Sequence, residues 1–174
     1  EEVHNNSYFL FLAGLDTVQN AMGHSWRCLA SRPALQKQIV DNPAIIPSAV
    51  EELLRYFALT NNNRTATADV DYNGIQLKRG DPILLLQSVA NRLDERFEKG
   101  LEIDLEREAN VHLTFGSGPH RCLGSNLARL ELRVTMEEWF RRIPSFRIQD
   151  GAQIRSVGGT TNGLDTLPFE WETV

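Results

Sequence analysis

The sequence predicts a mainly α chain with small β-sheets. A long apolar helical run opens it, and a second long patterned run ends at Pro144. Between and after them lie short alternating segments punctuated by Asn73-Gly74, Gly158-Gly159 and Asn162-Gly163. In order, residues 3–31 form the first helix, closed by Ser31-Arg32-Pro33. A second fits 33–40, since proline is tolerated in a first turn and Asn42-Pro43 stops it. A third spans 47–56, with Ala49, Val50, Leu53 and Leu54 as its buried stripe. Residues 64–72 alternate as a strand, Asn73-Gly74 turns it into 75–77, and 83–86 read as a short buried run. The polar stretch 91–110 is a long ordered loop of the kind that carries function. The last helix fits 123–142, with Leu123, Leu127, Leu130, Val134 and Trp139 on one side and Glu137, Glu138, Arg141 and Arg142 on the wet face. Residues 146–171 hold short strands.

Of 174 residues, 41% are hydrophobic and 24% charged, the balance of a soluble globular protein. A net charge of −5 argues against a nucleic-acid partner, whose phosphates need a basic face. The apolar stretch 8–15 is shorter than the roughly 20 residues a bilayer requires, and Glu1 and Glu2 precede it where a secretory signal would be basic. No membrane association is expected. Cys28 and Cys122 stand apart, without a CxxC pair or zinc spacing, which suits a reduced cytoplasmic protein.

The most informative segment is Phe115-Gly116-Ser117-Gly118-Pro119-His120-Arg121-Cys122-Leu123-Gly124. Its glycines permit unusual backbone angles and close approach of a flat ligand. Cys122 stands at the mouth of a helix, where unpaired N–H groups and the helix dipole favour a thiolate. Such a thiolate is a nucleophile or a metal ligand. His120 and Arg121 suit either a base or the binding of anionic groups.

The pattern FxxGxHxCxG resembles the haem-binding loop of the cytochrome P450 superfamily, and the fold this implies is that family's C-terminal, haem-binding half. The resemblance implies haem b (iron protoporphyrin IX) held by the Cys122 thiolate. His120 would bond a propionate, Phe115 and Gly116 would pack on the cysteine side, and Gly124 would permit close approach. Ala13-Gly14-Leu15-Asp16-Thr17 resembles the oxygen-activating stretch of the family's central helix. There the Thr17 hydroxyl can bond back to a carbonyl one turn earlier, and Asp16 with Thr17 can pass protons through water.

Glu52 and Arg55 sit three apart on one helix face and match the family's ExxR pair, whose role is structural; Glu51 beside them reads as solvated. The family usually closes this network with an arginine from the following polar loop. Alignment puts Glu102 at that place, so either another residue, Arg92 or Arg96, takes the part or the network is weaker here. Arg64 matches the position that reaches a propionate.

The spacing most resembles the bacterial camphor- and terpene-oxidising branch. On that match Leu12, Ala13, Leu59, Thr60, Asn62 and Thr161 line a pocket for a small, mostly apolar substrate carrying one polar oxygen. Cys28, His4, His24 and His112 read as packed or solvated, and Arg129 as a basic group that could meet an acidic electron-transfer partner.

The resemblance implies a monooxygenase using dioxygen, with two electrons from NAD(P)H through a reductase and an iron–sulfur ferredoxin. No Rossmann or iron–sulfur motif occurs here, so these are expected as separate proteins. A peroxide-using haem-thiolate enzyme and a non-catalytic haem-binding module are the alternatives. The motif order, with the central helix near residue 13 and the cysteine loop near 115, leads us to expect residues 1–174 to be the C-terminal part of one larger domain. That part alone should bind haem poorly and turn over nothing.

Overall fold

In the computed structural model, residues 1–172 are described. The chain begins with α1 (Glu2–Ala30), α2 (Pro33–Asp41), a 3₁₀ turn (Pro43–Ile45) and α3 (Ile46–Tyr56). Four short strands follow: β1 (Asn62–Thr65), β2 (Val70–Tyr72), β3 (Ile75–Leu77) and β4 (Pro82–Leu85). After the one-turn α4 (Gln87–Ala90) comes the long loop, then a 3₁₀ turn (Gly118–His120) and α5 (Ser125–Arg142). The tail adds β5 (Arg147–Ile148), β6 (Ser156–Val157), β7 (Gly163–Leu164) and β8 (Phe169–Glu170).

The strands form four two-stranded antiparallel sheets, β1–β4, β2–β3, β5–β8 and β6–β7. Asn73 and Gly74, at φ 52° and 85°, make the β2–β3 hairpin turn, as their residue types require. Residues 64–72 are not one strand. β1 pairs with β4, whereas β2 pairs with β3. Past Thr65 the Ala66 N–H bonds Asp81 O and the Ala66 carbonyl accepts the Gly80 N–H, which carries the first pairing one residue further before the chain leaves it for β2. The apolar run after Pro82 is exposed at Leu84, Leu85 and Leu86 rather than buried, because a two-stranded sheet covers little of it.

The core sits where the second half of α1 meets α2, α3 and α5. Leu29, Ile39, Ala49, Leu53, Leu105 and Met136 are its most enclosed members. Trp139 packs edge-on against Trp26 and Phe146, and Phe146 against Phe169, so aromatic rings fasten the tail to the helices. Buried Gln36 reinforces this join: its Nε2 donates to the carbonyls of Leu29 and Phe146, and its Oε1 accepts the Phe146 N–H.

Helix α5 corrects the expected stripe. It begins at Ser125, and its core-facing residues are Leu132, Met136 and Phe140, with Trp139 beside them. Leu127, Leu130 and Val134 are exposed, and Leu123, before the helix, is 90% exposed. At 100° per residue, 123, 127, 130 and 134 fall opposite 132, 136 and 140. The helix therefore has two apolar faces, and only one meets this core. In the same way Val3, Tyr8 to Leu12 and Leu15 on the first turns of α1 are exposed. Among the described residues no helix is long and apolar enough to cross a membrane.

Candidate functional site

Helix α3 places Glu52 and Arg55 one turn apart on its buried face, both with 0% exposed side chains. The pair is bidentate, Nε to Oε2 at 2.8 Å and Nη2 to Oε1 at 2.7 Å. A buried ion pair is tolerable only when its remaining hydrogen-bonding capacity is used, and here it is. Arg55 donates further to the carbonyls of Asn91, Gly100 and Glu102. Glu52 accepts from the Asp104 N–H, Arg107 Nε at 3.1 Å and Asn110 Nδ2 at 3.0 Å. Burial pushes the Glu52 carboxyl up, but the bonds from Arg55 and Asp104 and the charges of Arg55 and Arg107 outweigh it and hold it below its ordinary value.

Two expectations change here. Glu102 contributes only its backbone carbonyl, and Arg107 is the arginine that closes the network, not Arg92 or Arg96. The turn at Lys99, φ 52°, and the close approach of Gly100 to Arg92 lay the loop backbone onto Arg55. A Cβ at Gly100 would stand 2.3 Å from the Arg92 carbonyl, so only glycine fits. Arg92 instead bonds the Tyr56 carbonyl and lies 4.2 Å from the Tyr56 ring centroid.

The loop reaches the cysteine segment through Asn91, which sequence reasoning missed. Fully buried, its Nδ2 donates to Arg55 O and Thr114 Oγ1, and its Oδ1 accepts the Leu113 N–H at 2.7 Å. Thr114 Oγ1 donates in turn to Leu54 O. Nothing in the sequence marks this asparagine apart from its place at the start of the polar stretch.

Beyond Thr114 the chain turns through Gly116 and Gly118, at φ 71° and 70°, and the Cys122 N–H returns to the Phe115 carbonyl at 2.8 Å. Cys122 is exposed, two residues before the Gly124 cap of α5, and a Cβ on Gly124 would come 4.0 Å from its Sγ. Beside this segment is a cleft of about 710 Å³ that brings Arg64 of β1 and His120 together, with Asn62, Leu86, Leu113 and Gly116 in its walls. Both candidates are exposed there, and Arg64 Nη1 donates to its neighbour's carbonyl, Asn63 O.

The other candidates divide. Thr17 Oγ1 does bond back to Ala13 O at 2.8 Å, and Asp16 Oδ1 accepts from Asn20 Nδ2, but α1 runs unbroken through them. Leu12, Ala13, Gly14 and Asp16 are exposed. Thr60 and Thr161 meet in an isolated bridge, with Thr60 Oγ1 on Gln87, while Leu59 turns into the core. Cys28 and His24 match their reading. Burial raises the thiol of Cys28 despite the nearby Arg32, and burial lowers the imidazole of His24. Glu51 and Arg129 do not. Glu51 is half-buried and bonded to Arg129 and His112, so Arg129 is committed within the chain rather than free for a partner.

Helices around a buried carboxylate–guanidinium pair, small antiparallel sheets at the edge and an exposed cysteine on a glycine-rich turn define a helical fold built to present that cysteine. A family model described as cytochrome P450 matches residues 44–157, and the chain belongs to that family. It is 37% identical to the probable cytochrome P450 127A1 of Sinorhizobium fredii over 98% of this chain and 41% of that one. Against mycinamicin VIII C21 methyl hydroxylase of Micromonospora griseorubida it is 37% identical over 98% of this chain and 45% of that one. Among solved structures, CYP109E1 from Bacillus megaterium, in complex with testosterone, superposes with TM-score 0.90. It is 29% identical and covers 98% of this chain and 48% of that one. The chain thus spans less than half the length of these relatives. The family implies haem iron ligated by cysteine, and members work with oxygen and redox partners.

The residues fit that group. An exposed thiol has its backbone already satisfied, glycines flank it, and Arg64 and His120 share a cleft beside it.

Proposed function

We propose that this chain is the haem-thiolate part of a monooxygenase that hydroxylates a small, mostly apolar, terpenoid-like substrate. The observation that carries the reading is the continuous set of bonds from Glu52 and Arg55 through Asn91 to Leu113 and Thr114, immediately before the turn that presents Cys122. Haem bound here would supply dioxygen activation with two electrons, placing one oxygen atom in a C–H bond and releasing the other as water. Cys122 would ligate the iron as a thiolate, and Arg64 and His120 would pair with the propionates. Gly116, Gly124 and Ala13 would let the ring come close, with Phe115 packed beside the sulfur.

Asp16 and Thr17 would deliver protons through water, and the Thr17 hydroxyl, already on the Ala13 carbonyl, needs only a rotation to offer its hydrogen elsewhere. Leu12, Leu59, Thr60, Asn62 and Thr161 would shape the substrate wall. Electrons would arrive from NAD(P)H through a reductase and an iron–sulfur ferredoxin. We read residues 1–174 as the C-terminal part of a single domain. The exposed apolar faces of α1 and α5 support that, as does the span of under half of each relative. On this reading the isolated piece is inactive.

The reduced, carbon-monoxide-bound spectrum of the complete gene product tests the proposal. A thiolate-type red-shifted Soret band is expected, and its absence contradicts the reading. Thr17→Ala should uncouple electron use from product; full coupling would remove the relay assignment.

A further inference from the structure

The geometry points to Glu51 as a positioning residue for the cysteine ligand, acting through Arg129 and His112 on the Phe115 ring. This rests on the reading of Cys122 as the iron ligand.

Consecutive helix residues point about 100° apart, so the two neighbouring acids of α3 serve different partners. Glu52 faces the 98–110 loop. Glu51 faces α5 and the segment before the cysteine turn, with its side chain 29% exposed. Its Oε1 accepts Arg129 Nε at 2.6 Å and its Oε2 accepts Arg129 Nη2 at 3.0 Å, a fork that fixes the guanidinium plane. The same Oε2 lies 3.2 Å from Nε2 of His112, whose side chain is 1% exposed. His112 Nδ1 accepts the Thr114 N–H at 3.3 Å, which leaves Nε2–H as the donor to Glu51.

Both partners then close on one ring. The Arg129 guanidinium carbon is 4.5 Å from the Phe115 centroid, and the His112 ring centroid is 6.1 Å from it. The Phe115 carbonyl receives the Cys122 N–H. The residue that anchors the cysteine backbone is therefore gripped on its side chain by two groups that share one carboxylate. Without Glu51, Arg129 has no acid among the described residues and keeps only a long Nη1 bond, 3.5 Å, to the Ser125 carbonyl of its own helix, which does not fix the guanidinium plane over the ring. Burial pushes the Glu51 carboxyl up, but the bonds from His112 and Arg129 and the charge of Arg129 bring it down to about 2, so the clamp stays ionised in any ordinary buffer.

The test compares haem-loaded complete protein carrying Glu51→Ala, Glu51→Gln, Arg129→Lys or Glu138→Gln with wild type. The readout is the half-life of the thiolate-type Soret band of the reduced carbon-monoxide complex, taken at a temperature where helical circular dichroism is constant. Glu51→Ala should shorten it about tenfold, and Arg129→Lys comparably, because an ammonium keeps the charge but neither forks nor lies flat. Glu51→Gln should fall between. Glu138, in an exposed pairing on the same helix, should change it by less than about twofold. Equal half-lives in wild type, Glu51→Gln and Arg129→Lys overturn the inference even if Glu51→Ala does not fold. So does band loss that only follows loss of helix. A wild type with no thiolate band removes the underlying reading of Cys122, and this inference with it.

Discussion

The two halves of the proposed site differ in what holds them. The framework behind the cysteine is enclosed by its own chain, although Cys122 itself is exposed: Glu52, Arg55 and Asn91 are buried, and their polar atoms are bonded inward. The proposed proton-relay side on α1 is exposed from Ala13 to Asp16 and half-buried at Thr17, and its hydrogen bonds stay within one helix. A ligand loop whose backbone geometry must survive repeated chemistry gains from a buried network with one solution. The first is completed by bonds within the described residues; the second, on the reading proposed above, needs further chain over the exposed apolar face of α1 to enclose it.

Breaking that contrast gives effects of descending size. Glu52→Ala should cost about 3–5 kcal/mol in denaturant unfolding, since it strands the buried Arg55 charge. A loss under 1 kcal/mol would show that the network is not what fixes the loop. Acid should act next. The Glu51 carboxyl lies at about 2 in the fold against an ordinary 4.5, so its contribution, on the order of 3 kcal/mol, is complete above about pH 4.5. It drains away as pH falls toward 2, because the unfolded chain binds the proton first. Glu52 is shifted the same way and should steepen the loss. An unfolding free energy that stayed flat from pH 5 to about 2 would contradict both assignments. Asn91→Ala removes one amide that satisfies three groups and should cost about 2 kcal/mol. Smallest of all, Thr17→Ala should move stability by less than about 0.5 kcal/mol, whatever it does to coupling.

Much of this arrangement was legible from local pattern. Asn73-Gly74 marks its hairpin because few other pairs accept two positive φ angles, and the Glu52–Arg55 spacing needs only the helical period. The glycine-rich run before Cys122 carries its backbone requirements in its composition. What escaped depends on partners distant in sequence. Arg107 reaches Glu52 across 55 residues because the backbone doubles back at Lys99 and Gly100, and no spacing rule encodes that distance. Glu51 looks like any helix-surface acid until α5 brings Arg129 against it. The stripe through Leu127, Leu130 and Val134 was read correctly as apolar, but periodicity cannot say which of two apolar faces meets the core.

On the reading proposed above, this buried framework exists to present one sulfur. Cys122→Ser, compared with wild type in the complete haem-loaded protein, tests it most directly through the reduced carbon-monoxide spectrum. Wild type should show a red-shifted thiolate band and the serine variant should lose it, with helical circular dichroism unchanged. A serine variant that kept the band would contradict it.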